Sequence, residues 1–291
     1  MGSRGADVIC RKASVSEVDL TIAYRVYPHV SKTPAIYPED KYKLAEFCVR
    51  SLKKSLGDLR VKIIVLLDNC PAEYRAMFRK HFSDDSLVFI ELPGIGNRGT
   101  FLRQIDELLR QEFSELVYFA EDDYFYLEGQ FHEMVSFIQS RSDVHFVTPY
   151  DHPAYYREVY HQPSAGIEVA GARYWKRARS TCLTFLTTKK ELKKCEKIMK
   201  SYNDGNHDYG IWMAVTKFDG LNAIALLQVL LQDCGFLKKF ISTIYFGWRH
   251  LLFAKKMLLW SPIPTIATHL EKECLAPGIE WHKYFATAKG A

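Results

Sequence analysis

The chain has no run of 18 uncharged apolar residues, so it offers no candidate for a membrane-spanning helix. Its first twelve residues lack the apolar stretch of a secretory signal, and no cleaved leader is expected. There is no C-x-x-C pair: the seven cysteines, Cys10, Cys48, Cys70, Cys182, Cys195, Cys234 and Cys274, stand singly. That removes the usual zinc framework. An odd number of scattered thiols in a chain of 291 residues points to a reduced, cytoplasmic setting. Basic residues form no tract interleaved with aromatics, and the formal net charge of +5 is mild. Nucleic acid is therefore not an expected partner, whereas a phosphate-bearing small molecule suits the balance. Internal repeats and low-complexity segments are also missing.

What is present is an ordinary globular composition, 48% hydrophobic and 25% charged. The length fits one large domain, or one α/β domain with an elaborated end. Residues 18–26 (VDLTIAYRV), 61–67 (VKIIVLL), 87–92 and 116–120 read as buried strands. Between them, helical spacing predicts helices over 40–56, with Asp40 as cap, over 74–82 and over 100–113, the last preceded by a glycine turn at 94–99. Strands alternating with helices, each strand apolar on both faces, imply an α/β fold with a mostly parallel sheet flanked by helices. Further on come a helix at 131–140, a short strand at 145–149 and a loop at 151–164. Strands around Trp175 follow within 167–187, then a basic helix at 189–200 and a polar loop leading into a helix at Asp208. Residues 221–260 read as helical and apolar, followed by a proline-marked tail. The expected division is a catalytic domain over 15–220 and a helical C-terminal extension over 221–291.

Ligands of such sheets sit beyond the carboxyl ends of the strands. That rule gathers Asp68, the 94–99 turn and the triplet Glu121-Asp122-Asp123 on one rim. Alternation along an extended chain sends Glu121 and Asp123 to the same side, where two carboxylates repel unless a cation compensates. Hard oxygen ligands suit Mn²⁺ or Mg²⁺, which would also neutralise a departing diphosphate. The plainer alternative is an acidic loop facing water. Against it, Tyr124, Phe125 and Tyr126 follow at once, an odd choice for a solvated loop.

The segment LVYFAEDDYFY, followed by a helix bearing Phe131 and Phe137, resembles the DxD region of GT-A (Rossmann-like) glycosyltransferases. It is especially similar to the EDD version in the N-acetylglucosaminyltransferase I group. Asn97-Arg98-Gly99 with Arg103 resembles the N-x-G…R segment of family 2 glycosyltransferases. The resemblance implies transfer of a sugar from a nucleotide-diphosphate sugar to a glycan, glycolipid or other hydroxyl acceptor. It implies Asp123 as metal ligand, with Glu121 and Asp122 supporting it or contacting the donor. Asp68 would meet the base or ribose, Asn97 would belong to the donor side, and Arg98 or Arg103 would meet the diphosphate. A C-terminal His on the metal would be His269. An acceptor-side carboxylate at a helix start would be Asp208, with Asp204 in reserve, acting as base for an inverting transfer. Where family 2 has an acidic pair, His207 precedes Asp208, which departs from the pattern.

Trp175, Tyr155, Tyr156 and Trp212 are candidate stacking faces for an acceptor sugar, or else core. Trp281 is a further candidate for a lid over the donor. Residues 236–260 interleave Lys238, Lys239, Arg249, Lys255 and Lys256 with bulky apolar residues. They read either as a segment resting on an anionic membrane or as packed helices with a solvated basic face. Two other functions use the same parts. One is a nucleotidyltransferase, disfavoured because the glycine turn follows the third strand, or a sugar-nucleotide hydrolase; the other is a non-catalytic glycan-binding relative.

Overall fold

The structure is a computed structural model that describes residues 18–30, 32–158, 161, 166–218, 223–232 and 234–290. The first twelve residues with Cys10, parts of the 151–164 loop and the expected boundary at 220 and 221 lie outside the described residues. The amino-terminal half alternates β1 (Leu20–Val26), α1 (Lys41–Leu56), β2 (Val61–Asp68), α2 (Glu73–His81), β3 (Leu87–Leu92), α3 (Gly96–Arg110) and β4 (Leu116–Glu121). Then come β5 (Tyr124–Tyr126), α4 (Phe131–Ser140), β6 (Phe146–Val147), a short α5 (Ala154–Arg157), β7 (Ile167–Ala170), β8 (Arg173–Ala178) and β9 (Phe185–Thr188). The chain ends with α6 (Lys189–Lys200), α7 (Asp208–Val215), α8 (Ala223–Gln232), α9 (Cys234–Phe253), β10 (Leu259–Ile263), β11 (Ala267–His269) and α10 (Trp281–Gly290).

Nine strands form one sheet in the order β3-β2-β1-β4-β9-β6-β10-β8-β7, and β11 pairs with β5 in a separate ribbon. The β3-β2-β1-β4 portion is parallel throughout, and β10 runs parallel to β6. The remaining pairs are antiparallel. Every residue of β1 is buried, because helices cover both faces. On one face Ile22 and Tyr24 pack with Phe47 of α1, Phe78 of α2 and Phe137 of α4. On the other, Ala23 packs with Phe101 of α3, Leu192 of α6 and Trp212 of α7. This is the α/β architecture that the two-faced apolar strands imply.

Asp40 caps α1 as expected, accepting from the Lys43 amide at 2.9 Å. Two local expectations differ from the structure. Helix α3 begins at Gly96, inside the supposed glycine turn, because the Asp68 carboxylate satisfies the free amides at its start. The helix of the C-terminal region ends at Phe253, and the stretch around Pro262 is a strand inside the main sheet. Proline is tolerated there because β6 pairs only as far as Trp260, so no ladder bond is lost at Pro262 on that side.

Candidate functional site

A cleft of about 500 Å³ opens at the carboxyl ends of β1, β2 and β4. Asp68, Asn97, Glu121, Asp122, Asp123, Asp208 and His269 all line it. A larger cavity of about 660 Å³ lies between α1, β5 and α10 and contains none of the sequence-predicted site residues.

The acidic triplet divides its labour. Glu121 ion-pairs with Arg25 and accepts from the Thr184 hydroxyl at 2.7 Å. Asp122 is locked by the Lys41 ammonium at 2.7 Å and the Tyr27 amide at 2.9 Å. Burial pushes its pKa up, against the pull of Lys41. Asp123 differs. One carboxylate oxygen, Oδ2, faces His269 Nε2 at 3.2 Å, and Oδ1 is buried with no hydrogen-bond partner among the described residues. Burial raises the pKa of Asp123, but His269, Lys41 and Arg25 together outweigh it and hold the group ionised, well below the usual carboxylate range.

Asp123 and His269 meet because the β5–β11 ribbon pins them. His269 lies opposite Tyr124 in the register, and the Leu270 amide donates to the Asp123 carbonyl at 2.8 Å. The His269 ring stands edge-on to Tyr124, and its Nδ1 accepts the Glu271 amide at 3.1 Å. That bond leaves the ring proton on Nε2, aimed at Asp123. The Asp123 oxygen with no partner among the described residues fits a divalent cation, and His269 could join it through Nε2 only with its ring proton moved to Nδ1, exchanging the Glu271 amide for the Glu271 carboxylate 4.0 Å away.

The cation facing the cleft is one that sequence reasoning missed. Arg25, at the end of β1, is 7% exposed and is held by Glu121 and by both the side chain and the carbonyl of Asn97. The predicted Arg103 instead pairs with Glu107 at 2.7 Å, and Arg98 is exposed; neither lines the cleft. Asn97 does line it, orienting Arg25 and donating to the Tyr202 hydroxyl at 3.1 Å. Lys32 adds a second charge on the rim, paired with Glu271 at 2.7 Å. Asp68 lines the cleft as expected and has a second task. Its carboxylate accepts from the amides of Gly94, Ile95 and Gly96 at 2.9, 2.7 and 2.7 Å, so it anchors the start of α3.

Asp208 is the first residue of α7 and lines both this cleft and a second cavity of about 390 Å³. Cys182 is shared in the same way. The Asp208 carboxylate accepts the Tyr209 amide at 2.7 Å, so it serves the helix start and still faces both spaces. Burial raises its pKa, and Glu121 adds to the effect. Asp204 is exposed on the preceding turn and lines neither space.

Two of the aromatic candidates are core. Trp175 is 1% exposed and stacks on Phe137 at 4.2 Å. Trp212 is fully buried, edge-on to Phe146 and Phe185. Neither offers a face to an acceptor. Trp212→Ala is expected to cost about 3–5 kcal/mol of stability in urea unfolding. Tyr155 does line the second cavity, although its hydroxyl is spent on the Ser180 carbonyl at 2.7 Å. Tyr156 stands outside it, its hydroxyl on Asp151 at 2.6 Å. Trp281 is buried under Phe125, so it braces the ribbon from behind.

The second cavity also holds His152 and His161, whose pKa values burial lowers to about 4 and about 3. Both stay neutral in the fold while the unfolded chain takes up protons below about pH 6.5. Their contribution to stability is therefore present above that pH and lost as the pH falls toward the lowered values. In urea unfolding at pH 7 and pH 5, His152→Asn should lose less stability than the parent by about 2 kcal/mol. An equal loss in both proteins would contradict the burial of a neutral imidazole.

No protein-family model and no curated protein matches the chain. Solved structures do resemble it. A mannosyltransferase from Pyrobaculum calidifontis, in complex with GDP-Man and Mn²⁺, aligns with a TM-score of 0.43 and 11% identity over 69% of this chain. The aligned part spans about half, 51%, of that protein's length. A putative nucleotide-diphospho-sugar transferase from Desulfovibrio desulfuricans aligns at 0.42 and 12% identity, covering 69% of this chain and 76% of its own. A cytidylyltransferase from Leptospira borgpetersenii aligns at 0.34 and 11% identity, covering 62% and 63%. TM-scores below 0.5 decide neither the fold family nor the activity of this chain.

Proposed function

We propose that the chain is a metal-dependent glycosyltransferase of the GT-A type, moving a sugar from a nucleotide-diphosphate sugar onto an acceptor hydroxyl with inversion. What carries the proposal is one arrangement: a carboxylate oxygen on Asp123 with no partner among the described residues, beside His269, in a cleft that meets a second cavity at Asp208. The first space suits the donor, and the second suits the acceptor. Asp123 and His269 would hold Mn²⁺ or Mg²⁺, and a bound divalent ion supplies charge neutralisation for the diphosphate. Residues 15–220 would supply the donor and base groups, and the 221–291 segment would complete the site through His269.

Asp208 takes the proton of the acceptor hydroxyl as its oxygen bonds to the anomeric carbon. The bond from that carbon to the phosphate oxygen breaks, and its electron pair leaves with the diphosphate. Arg25 and Lys32 face the charge that develops there. A raised pKa suits Asp208 to accept a proton, and its place between two cavities suits a single displacement. The nucleotidyltransferase alternative leaves the second cavity and its carboxylate without a task.

The test is a thermal-shift screen of nucleoside diphosphates and nucleotide sugars with Mn²⁺ and with chelator. A shift that needs both the metal and one nucleotide supports the proposal. Shifts with neither, across the whole set, would leave a non-catalytic glycan-binding relative as the better description.

A further inference from the structure

Among the described residues, none covers one long face of helix α9. Leu237, Ile241, Tyr245, Trp248 and Leu252 recur at helical spacing and are 43, 58, 74, 45 and 68% exposed. The opposite face is spent on α7. Phe236 meets the Tyr209 ring at 6.1 Å, and a Cβ on Gly247 would come within 2.8 Å of the Ala214 side chain. The outer stripe is therefore not needed to hold the helix in place. Helix α8, packed beside α9, adds Leu227 and Leu231, exposed by 56 and 77%. So large an apolar surface on a soluble domain marks a contact site.

Charge says with what. Lys238 and Arg249 directly follow the stripe residues Leu237 and Trp248 and are exposed, and Lys255 and Lys256 are exposed just beyond the helix. From position 234 to position 270 the sequence contains no aspartate or glutamate. A second copy of the chain, seated on this face by a two-fold axis, would bring these cations together with no carboxylate from the same stretch to meet them. An anionic lipid surface satisfies both features, taking the apolar stripe into the headgroup boundary and the cations onto its phosphates. We propose that the exposed face of α9 docks the protein on an anionic bilayer, with the helix lying along the interface. The proposal stands apart from the transfer reaction, and either can fail without the other.

Trp248 provides the readout. The other four tryptophans, Trp175, Trp212, Trp260 and Trp281, are at most 3% exposed, so a blue shift of emission on a surface reports Trp248. The full chain is mixed with phosphatidylcholine vesicles with and without about 30% phosphatidylserine and sedimented. The expected result is a blue shift and cosedimentation with the anionic vesicles only, weakened in about 0.5 M salt. The double variant Trp248→Ser/Leu252→Ser, and separately Lys238→Glu/Arg249→Glu, should each lower the bound fraction about tenfold. Circular dichroism unchanged by these surface substitutions keeps the comparison fair. Failure to cosediment, or binding indifferent to both variants, would overturn the proposal. So would a vesicle-free dimer that Trp248→Ser/Leu252→Ser dissociates.

Discussion

Replacing Asp123 with alanine is expected to lower kcat/KM for sugar transfer by about 10³-fold, roughly 4 kcal/mol of transition-state stabilisation. The reason is local. Among the three carboxylates, Glu121 and Asp122 are occupied by Arg25, Thr184, Lys41 and the Tyr27 amide, whereas Asp123 keeps a buried oxygen without a partner among the described residues. Losing it removes the proposed cation ligand and the His269 contact, while the Glu121–Arg25 and Asp122–Lys41 ion pairs at the sheet edge remain. Asp122→Ala should behave differently. It strands the Lys41 ammonium, whose side chain is 9% exposed, and so should destabilise the fold. Activity assays paired with urea unfolding separate the two. A stable but inactive Asp123→Ala beside a destabilised Asp122→Ala is expected; the reverse would contradict the division of roles.

Asp208→Asn should lower kcat by about 10²–10⁴-fold and leave binding of the nucleotide diphosphate unchanged. Asparagine keeps the shape and can still accept the Tyr209 amide, so the start of α7 survives. What it cannot do is take a proton. Steady-state kinetics with donor titrations measure both quantities. A variant that transfers sugar at the parental rate would remove Asp208 from the chemistry and reopen the stereochemical outcome.

The parts of the fold that were legible in sequence are those set locally. The apolar runs of β1 and β2 and the Asp40 cap of α1 need only their neighbours to declare themselves. The rim was legible too: the strand-end rule points to the acidic triplet, the family resemblance implies Asp123, His269 and Asp208, and the structure brings the three into one cleft. Arg25 was hidden for a physical reason. It sits in a buried strand where an arginine carries no motif, and its partner Glu121 is 96 positions away. The anchoring of α3 by Asp68 was hidden in the same way, because its three amide partners lie 26 to 28 positions ahead. Trp175 and Trp212 show the limit of residue type. An indole suits a sugar face and a core equally, and only burial decides.

The proposed cation site at Asp123 and His269 is most directly tested by calorimetric titration of Mn²⁺, with and without nucleoside diphosphate, into the parent, His269→Ala and Asp123→Ala. Tight binding of the ion that strengthens with the nucleotide, and that both His269→Ala and Asp123→Ala abolish, is the expected result. Parental affinity in either variant, or nucleotide binding indifferent to chelator, would contradict it.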